Sequence, residues 1–537
     1  MQKNIQKIQN HWLFALLSAV VVAIVFLKIS EFSGRLSGDL TYDDVAYAND
    51  AASRLSIAAN HGFFAFFQSF VENPPRSPFS TLLATIAFSL GGLNDFALYA
   101  SNTLVLMLVA LFLSHELRYA RAIVLLLSLG MVLLSPLSYR AIHDFRPDVA
   151  LGFATAVMTW WFISGAVEND SRLFRRAGYA LGACLLIKPT FFAHTLTIAF
   201  FLIGSTLIVH FLIHHYSNFT FNLKKSELVR FFGIGTLISS PYFVVNWSPI
   251  VQHFWQNTRG EYSYIWSFPK DTPIRTLLGG IYQLSFPFLG YHLVYTIVTL
   301  VVCCILLYRY KAKIEITRIF ALCATALVSL CIIVIGRHKN EFFLASFQWL
   351  LLLSTVYAIS ACDQRLHKRA RLLFIGTNII GIILVTWING GLQHWKSSPD
   401  SLHGSSWNHK IIDLIRHSES LSSDAPTREE VPSVFVTFAG PVGASSLCWV
   451  GTKERFNINA FDRNRSSDLA LFKSLAEHAS YVVLPNEAKS DYYRWLPNAS
   501  LQAKLLEWIQ NDSRFKAINS FSTETRYFVF KNSVRSK

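Results

Sequence analysis

The sequence predicts a mostly α-helical, polytopic membrane protein that ends in a small soluble α/β domain. Of the 537 residues, 52% are hydrophobic and only 15% are charged, and the mean hydropathy is +0.36. Apolar runs of about 20 residues recur between residues 11 and 390, and such runs are long enough to cross a bilayer as helices. These observations exclude an ordinary soluble enzyme.

We predict about eleven membrane spans of the helical kind from these runs. They cover residues 11–30, 94–114, 121–138, 148–166, 177–191, 193–213, 229–246, 282–307, 318–336, 341–361 and 372–390. The first run follows Lys3 and Lys7 and lacks a small-residue cleavage site, so we interpret it as an anchor and not as a signal peptide.

The charge pattern predicts the orientation of the spans. The net charge is +15, and the dense basic clusters all fall in short connections on one side, for example Arg118 to Arg121 and Arg172 to Arg176. This is typical of cytoplasmic loops and does not indicate a nucleic-acid partner. The prediction is a multi-pass protein of the bacterial inner membrane, with a cytoplasmic N-terminus and a periplasmic C-terminal domain.

Two domains follow from the composition. Residues 1–392 form the membrane module, with an outer connection at residues 31–93 that contains interfacial helices, among them the short apolar run Pro78 to Leu90. Residues 393–537 are polar and alternate strand-like with helix-like runs, which predicts a soluble α/β domain with a structural or acceptor-guiding role. The predicted strands are Ser433 to Phe438, Ser480 to Leu484 and Arg526 to Phe530, and the predicted helices are Ser467 to Glu477 and Leu501 to Gln510.

A short acidic stretch after the first span is the first candidate functional motif. Thr41 and Asp44 read as a helix N-cap pair, and Asp43, Tyr47, Asp50 and Arg54 recur at helical spacing as one polar stripe. Asp43 and Asp44 would also favour the positive end of the helix dipole, which is a purely structural role. On the outer face of a membrane protein, such carboxylates can also act as a general base.

A second acidic motif runs from Tyr139 to Asp148 on the same predicted face. It contains Asp144, Asp148, His143 and Arg146, and it leads directly into the fourth span. A helix-dipole role explains Asp148 alone, but it does not explain the whole cluster. The pattern suggests a partner that orients an acceptor hydroxyl or amine next to the base.

Several cations are predicted on the same outer face, against the general charge bias. Lys188 ends the fifth span, where a lysine can also simply extend to the interface. A phosphate held at the membrane surface requires such cations, and arginine provides bidentate geometry. The candidates for phosphate contact are Arg76, Lys188, Arg259, Arg337 and Lys339, with His338 beside them.

The seven cysteines are scattered without a Cys-x-x-Cys pair, which argues against a metal or disulfide framework. The acidic residues of the outer face could hold a divalent metal ion, but the sequence demands neither a metal ion nor another cofactor.

The order of these motifs resembles the GT-C superfamily of membrane glycosyltransferases, over roughly residues 10 to 350. It is most similar to the polyprenyl-phosphate-sugar-dependent branch that includes protein O-mannosyltransferases and the lipid A aminoarabinose transferase. The matching motifs are Asp43-Asp44-x-x-Tyr47, Pro74-Pro75 before an interfacial helix, Arg146-Pro147-Asp148 and Lys188-Pro189. One position differs, because the family often has His or Lys before the Pro-Pro pair and this chain has Asn73, with Arg76 following.

The resemblance implies an inverting glycosyltransferase that moves a sugar from a polyprenyl-phosphate carrier to a glycan, lipid or protein acceptor in the cell envelope. By the motif match, Asp43 is the expected general base with Asp44 as second choice, and Asp148 with Asp144 forms the second acidic motif. Tyr47, His143, Arg146 and His338 are expected to bind substrate.

Two other functions explain the spans. A lipid-linked glycan polymerase or ligase would use a diphosphate-linked donor. A transporter or flippase would carry ionisable residues in mid-helix, whereas the middles of these runs are almost free of charge. A non-catalytic scaffold is a third alternative.

Overall fold

The computed structural model describes most of the chain. The described residues are 2–33, 36, 40, 42–214, 224–260, 289–335, 341–391, 399–421, 431–437, 442–463, 466–486, 500–519 and 527–535. Three residues with predicted roles, Arg337, His338 and Lys339, lie outside these ranges, as does Thr41, the expected N-cap.

The chain up to residue 391 is helical. Its α-helices are α1 Gln2–Phe32, α2 Tyr42–Glu72, α3 Pro78–Gly91, α4 Asp95–Ser101, α5 Thr103–Glu116, α6 Ala122–Leu133, α7 Pro136–His143, α8 Pro147–Glu168, α9 Ser171–Ile187, α10 Phe192–His214, α11 Lys225–Thr258, α12 Tyr291–Arg309, α13 Lys313–Ile335, α14 Ala345–Arg365 and α15 Lys368–Gly391. Two 3-10 helices, Pro189–Phe191 and Glu341–Leu344, precede α10 and α14.

Among the described residues, nine helical stretches are long and apolar enough to cross a membrane. A tenth is added if α6 and α7, which meet at an angle of 56°, count as one broken span. The predicted fifth span, residues 177–191, is the difference from the expected eleven. It falls on α9, whose 17 residues extend about 26 Å, at the short end of the lengths that cross a hydrocarbon core, so this helix is not among those counted.

Helix α9 is packed closely against its neighbours. A Cβ atom at Gly178 would lie 2.8 Å from the carbonyl oxygen of Phe231, and one at Gly235 would lie 2.7 Å from the Leu181 side chain. Such distances leave no room for a larger residue, so the backbones of α9 and α11 approach each other directly. This packing fixes the end of α9, where Lys188 follows.

Helices α8 and α14 form a buried centre in this part of the chain. The Trp349 indole is fully buried and donates a hydrogen bond to the carbonyl oxygen of Val149 at 3.0 Å. A Cβ at Gly152 would lie 2.6 Å from the backbone of Ala345. The start of α8, with Asp148, is therefore held next to the start of α14.

The described chain divides into two compact units. The first comprises Met1–Lys28, Ile57–Leu83 and Tyr99–Trp395, and the second comprises Ile29–Ser56, Ala84–Leu98 and Lys396–Lys537. Much of the connection after the first span thus belongs to the same unit as the C-terminal tail. Helix α2 changes direction at Gly62, whose φ of 85° is accessible to glycine without strain.

The tail contains a five-stranded sheet and four helices in its described part. The strands are β1 Ser433–Val436, β2 Asn459–Phe461, β3 Tyr481–Pro485, β4 Phe515–Ala517 and β5 Tyr527–Asn532, and the helices are α16 Pro399–Ser420, α17 Ala444–Lys453, α18 Leu469–His478 and α19 Gln502–Asn511. The strand order is β2-β1-β3-β5-β4, with β1 parallel to β2 and β3, and β5 antiparallel to β3 and β4.

Side chains alternate between the two faces along each strand, and helices cover both faces of this sheet. Val434 and Val436 of β1 pack into one apolar cluster with α16 and α17, whereas Phe435 packs into the other with α18 and α19. The three predicted strands correspond to β1, β3 and β5, and the two predicted helices to α18 and α19. The three-residue strands β2 and β4 and the helices α16 and α17 were not predicted.

Candidate active site

The first acidic motif lies in the first turn of α2. Asp43 is exposed, whereas Asp44 is only 1% exposed, on the same side as the buried residues Val45 and Ala48. The two adjacent carboxylates therefore have different surroundings. Only Asp43 is presented to solvent, where a substrate can reach it.

The predicted polar stripe on α2 includes one ion pair. The Arg54 guanidinium, whose side chain is 2% exposed, donates to the Asp50 carboxylate at 3.0 Å, one helical turn away. Tyr47 is buried at 7% exposure. The stripe is thus buried toward Arg54 and exposed at Asp43, so its accessible end lies at the N-terminus of α2.

Two hydrogen bonds from the tail hold the start of α2 within the second unit. The Ser446 hydroxyl donates to the carbonyl oxygen of Leu40 at 2.9 Å, and the Asn49 amide donates to the carbonyl oxygen of Ser445 at 2.8 Å. Leu40 and Asn49 flank the two aspartates. Helix α17 of the tail therefore fixes the segment that carries them.

The same tail helix also contacts residues 84–98, which run from α3 into α4. The Asp95 carboxylate accepts from the Trp449 indole at 2.8 Å and from the Lys453 ammonium at 3.1 Å. The Trp449 ring also stacks on Phe88, with ring centroids 5.3 Å apart. These contacts explain why residues 84–98 belong to the unit of the tail.

The second acidic motif joins α7 to α8 in the first unit. Helix α7 begins after Ser135, whose hydroxyl caps it by accepting from the Ser138 amide. The Arg140 guanidinium donates to the Asp144 carboxylate at 3.2 Å, and Asn102 donates to the Asp144 carbonyl oxygen at 3.3 Å. Asp144 is 9% exposed, and its carboxylate is paired with Arg140.

His143 and Tyr139 form a buried pair one turn apart on α7. The Tyr139 hydroxyl lies 3.0 Å from Nδ1 of His143, and the two rings stack with centroids 5.0 Å apart. The Tyr139 ring also meets Phe26 of α1 edge-on at 5.3 Å. In this arrangement His143 is held by packing and by the tyrosine.

Asp148 and Lys188 form the most buried ion pair among the predicted site residues. The Lys188 ammonium lies 2.6 Å from an Asp148 carboxylate oxygen, and the two side chains are 17% and 5% exposed. The sequence placed both residues on one face but did not predict that they would bond to each other. The Asp148 charge is therefore neutralised by Lys188, and the Lys188 charge by Asp148.

Aromatic rings surround the cations of this motif. The Lys188 ammonium lies 4.8 Å from the Phe343 ring centroid and 5.8 Å from that of Phe191. The Arg146 guanidinium lies 4.1 Å from the ring centroid of Phe342. Such cation–π contacts strengthen where water is excluded. Phe342 and Phe343 come from the 3-10 helix before α14 and were not predicted from the sequence.

The segment around the Pro-Pro pair is tied to the same region of the first unit. The Ser77 hydroxyl donates to the carbonyl oxygen of Ile187, next to Lys188, at 2.7 Å. The Tyr242 hydroxyl donates to the carbonyl oxygen of Pro75, also at 2.7 Å. Arg76 lies between these two anchored residues, and its own side chain is exposed.

The remaining predicted cations are not brought into this cluster. Arg76 and Arg259 are both exposed and form no hydrogen bond with Asp148 or Lys188, and Arg259 packs near the ring of Trp255. In the described part of the chain, no three His, Cys, Asp or Glu side chains converge as metal ligands would. That the reaction requires no cofactor stays a prediction.

The fold described above is similar to that of solved membrane proteins named as glycosyltransferases, which is the kind of fold that the resemblance in the sequence implies. No protein-family model and no curated protein sequence matches this chain. At the sequence identities given below, the likeness to solved structures shows the fold alone.

Among particular structures, the chain is similar to ArnT from Cupriavidus metallidurans in the apo state. The TM-score is 0.56 at 13% identity, covering 96% of this chain and 98% of ArnT. ArnT bound to undecaprenyl phosphate gives a TM-score of 0.55 at 12% identity, covering 96% and 97%. The mycobacterial arabinofuranosyltransferase AftD gives 0.54 at 12% identity, covering 96% of this chain and 40% of AftD.

Proposed function

We propose that this chain is an inverting glycosyltransferase that takes a sugar from a polyprenyl-phosphate carrier on the outer face of the bacterial inner membrane. The acceptor is a glycan, lipid or protein of the envelope, and the acceptor class that we propose is lipopolysaccharide or another envelope glycan. The observation that carries the proposal is the exposed carboxylate of Asp43, at a helix start on the first outer connection of a fold shared along 96% of the chain with ArnT. A crystal structure of ArnT contains bound undecaprenyl phosphate.

The proposed topology has a membrane module at residues 1–392, a cytoplasmic N-terminus and a periplasmic tail at residues 393–537. The basic connections support this orientation, because cytoplasmic loops carry the excess of Lys and Arg. It places Asp43, Asp144, Asp148 and Lys188 on the outer face, where a lipid-linked donor and an envelope acceptor meet.

The chemistry needs one base and one cation. The Asp43 carboxylate removes the proton of the acceptor hydroxyl or amine, whose lone pair attacks the anomeric carbon. The bond from that carbon to the phosphate oxygen breaks on the opposite face, its electron pair stays on the phosphate, and the configuration inverts. No second carboxylic acid has to donate a proton, because the phosphate is already a good leaving group.

Lys188 and Arg76 are the residues proposed to receive the phosphate charge, and Arg259, Arg337 and Lys339 remain further candidates from the sequence pattern. Stabilising the negative charge of a leaving group is commonly a large term in such catalysis. Because Asp148 is the partner of Lys188, an incoming phosphate competes with this carboxylate for the ammonium. Tyr47, His143, Arg146 and His338 are the proposed substrate contacts, and Asp44 and Asp144 support them.

The test is sugar transfer in membranes supplied with radiolabelled polyprenyl-phosphate sugars. Asp43→Asn should lower transfer about 10²–10⁴-fold, the typical contribution of a general base. Asp413→Asn is the matched control, because Asp413 is an exposed carboxylate on α16 with a 66% exposed side chain.

The outcomes separate the proposal from its alternatives. If Asp44→Asn is inactive and Asp43→Asn is not, the reaction stands and the base is Asp44. If the native chain consumes no donor from a broad panel but accepts a diphosphate-linked glycan, it is a polymerase or ligase. Movement of a lipid or solute without any covalent transfer would indicate a transporter and overturn the proposal.

A further inference from the structure

A second cluster of cations lies at the end of α5 and near the start of α9, among residues that the proposed reaction does not use. It consists of His115 at the end of α5, Arg118 just after it, and Arg176 in the second turn of α9. Nε2 of His115 lies 3.2 Å from Nη1 of Arg118 and 3.3 Å from Nη1 of Arg176. Two guanidinium groups therefore meet at one imidazole nitrogen.

Among the residues that the structure describes, this arrangement leaves both positive charges without an anion. A guanidinium can only donate, so Nε2 of His115 must be an unprotonated acceptor for both arginines. Apart from this contact, Arg118 donates to the carbonyl oxygen of His115 at 2.9 Å. Neither arginine has a carboxylate partner in the described chain, because the nearby Glu116 accepts from the indoles of Trp160 and Trp161 at 2.8 and 3.0 Å.

Most of the donors of this pair form no hydrogen bond within the described part of the chain. Each guanidinium has five N–H groups, and the contacts above involve only Nη1 of each. Arg118 is half-buried and Arg176 is exposed. Two adjacent forks with open donors match the oxygen atoms of a phosphate, which arginine binds bidentately.

The surroundings are those of a membrane surface. Arg118 follows the span Asp95–Glu116, and Arg176 lies shortly after the span Pro147–Glu168. Tyr119, which is 80% exposed, lies under the Arg118 guanidinium at 4.8 Å, and Trp161 lies 6.0 Å from that of Arg176. Tyr and Trp are enriched at the level of lipid headgroups, and basic pockets between spans bind anionic headgroups there.

We propose that His115, Arg118 and Arg176 form a binding site for the phosphate of an anionic phospholipid at the cytoplasmic surface of the membrane. The histidine holds the two guanidinium groups side by side, and the lipid phosphate supplies the negative charge that no described residue supplies. A free phosphate ion has the same chemistry, so the experiment must separate the two sources.

The full-length protein is reconstituted in phosphatidylcholine vesicles, and the relative association of spin-labelled phosphatidylglycerol over spin-labelled phosphatidylcholine is measured by electron paramagnetic resonance. The native chain should prefer phosphatidylglycerol. Arg118→Gln with Arg176→Gln should reduce this preference, by about fivefold for each arginine lost at a single site. Arg172→Gln with Arg175→Gln is the matched control, because both are exposed arginines of α9 outside the cluster, and it should retain the preference.

A single Arg176→Gln variant covers the case in which the double variant does not fold, and it should lose about half of the effect on a logarithmic scale. Equal preference in the native chain and in the cluster variants would overturn the proposal. So would loss of the preference in the control pair, since the effect would then be general surface charge. If inorganic phosphate abolishes the preference and chloride at equal ionic strength does not, the site takes free phosphate and the lipid assignment is wrong.

Discussion

The two acidic motifs of this protein place the same side chain in opposite situations. Asp43 in the second unit is exposed in the first turn of a helix, whereas Asp148 in the first unit is 5% exposed and bonded to Lys188 at 2.6 Å. A carboxylate that must accept a proton needs access to the substrate. A buried carboxylate bonded to an ammonium instead balances a charge and fixes its position.

The largest expected effect compares the two carboxylates by activity. We expect Asp43→Asn to lower kcat about 10²–10⁴-fold, because the amide cannot accept the proton. Asp148→Asn should lower kcat less, because it leaves the base in place and releases Lys188. Transfer rates at saturating donor measure both, and a larger loss for Asp148→Asn would exchange the two roles.

The second effect concerns stability of the buried pair. Lys188→Met leaves the Asp148 carboxylate buried without its cation, which should cost about 3–5 kcal/mol of unfolding free energy. The double variant Lys188→Met with Asp148→Asn removes the charge as well and should recover most of this loss. Denaturation of the purified full chain in detergent measures both, and equal loss in the single and double variants would contradict the ion-pair account.

A smaller effect is expected where the tail holds the start of α2. Ser446→Ala leaves the Leu40 carbonyl oxygen without its donor, which should cost about 1 kcal/mol of unfolding free energy and several-fold in kcat. Ser446→Thr, which keeps the hydroxyl, should restore kcat. If Ser446 positions the base without replacing it, the pH profile of kcat keeps its shape while its height falls.

The matched control for that variant is Ser533→Ala. The Ser533 hydroxyl donates to the Arg514 carbonyl oxygen at 2.9 Å, elsewhere in the tail and at an exposed position. It should leave kcat unchanged. An equal fall in kcat for Ser533→Ala would mean that the tail acts only through its general stability.

The smallest effect is a pH dependence in the tail. Hydrogen bonds from the Arg514 guanidinium lower the pKa of Asp512. Because the folded pKa lies below that of the unfolded chain, the pair stabilises the fold above about pH 4 and loses this contribution as the pH falls through the folded pKa. The stability deficit of Asp512→Asn should therefore shrink in acid, and a deficit independent of pH would contradict this.

Properties encoded in contiguous residues were predictable from the sequence. A long apolar run is itself the signal for a membrane span, so nearly all of the spans were predicted. The central strands of the tail were predicted from their own short strand-like runs. Helix α9 is the one predicted span that is not counted, since its 17 helical residues lie at the short end of the lengths that cross a membrane. The exposure of Asp43 against the burial of Asp44 could not be read from two adjacent identical residues.

Contacts between distant residues were not predictable, because a single sequence carries no signal for them. Lys188 and Asp148 are 40 residues apart, and Ser446 and Leu40 are 406 apart. Phe342 and Phe343 look like ordinary apolar residues until the fold brings their rings next to cations. The roles of the tail helix and of the aromatic rings therefore appeared only in the structure.

The membership of residues 29–56 and 84–98 in the unit of the tail has a consequence for protein engineering. A separately expressed tail would expose the indole of Trp449, which is now fully buried, and would lack the Asp95 carboxylate that accepts its N–H. A chimera that exchanges only the C-terminal sequence between two such proteins would disturb this packing. The modular piece that can be transferred is discontinuous and includes residues 29–56 and 84–98 together with the tail.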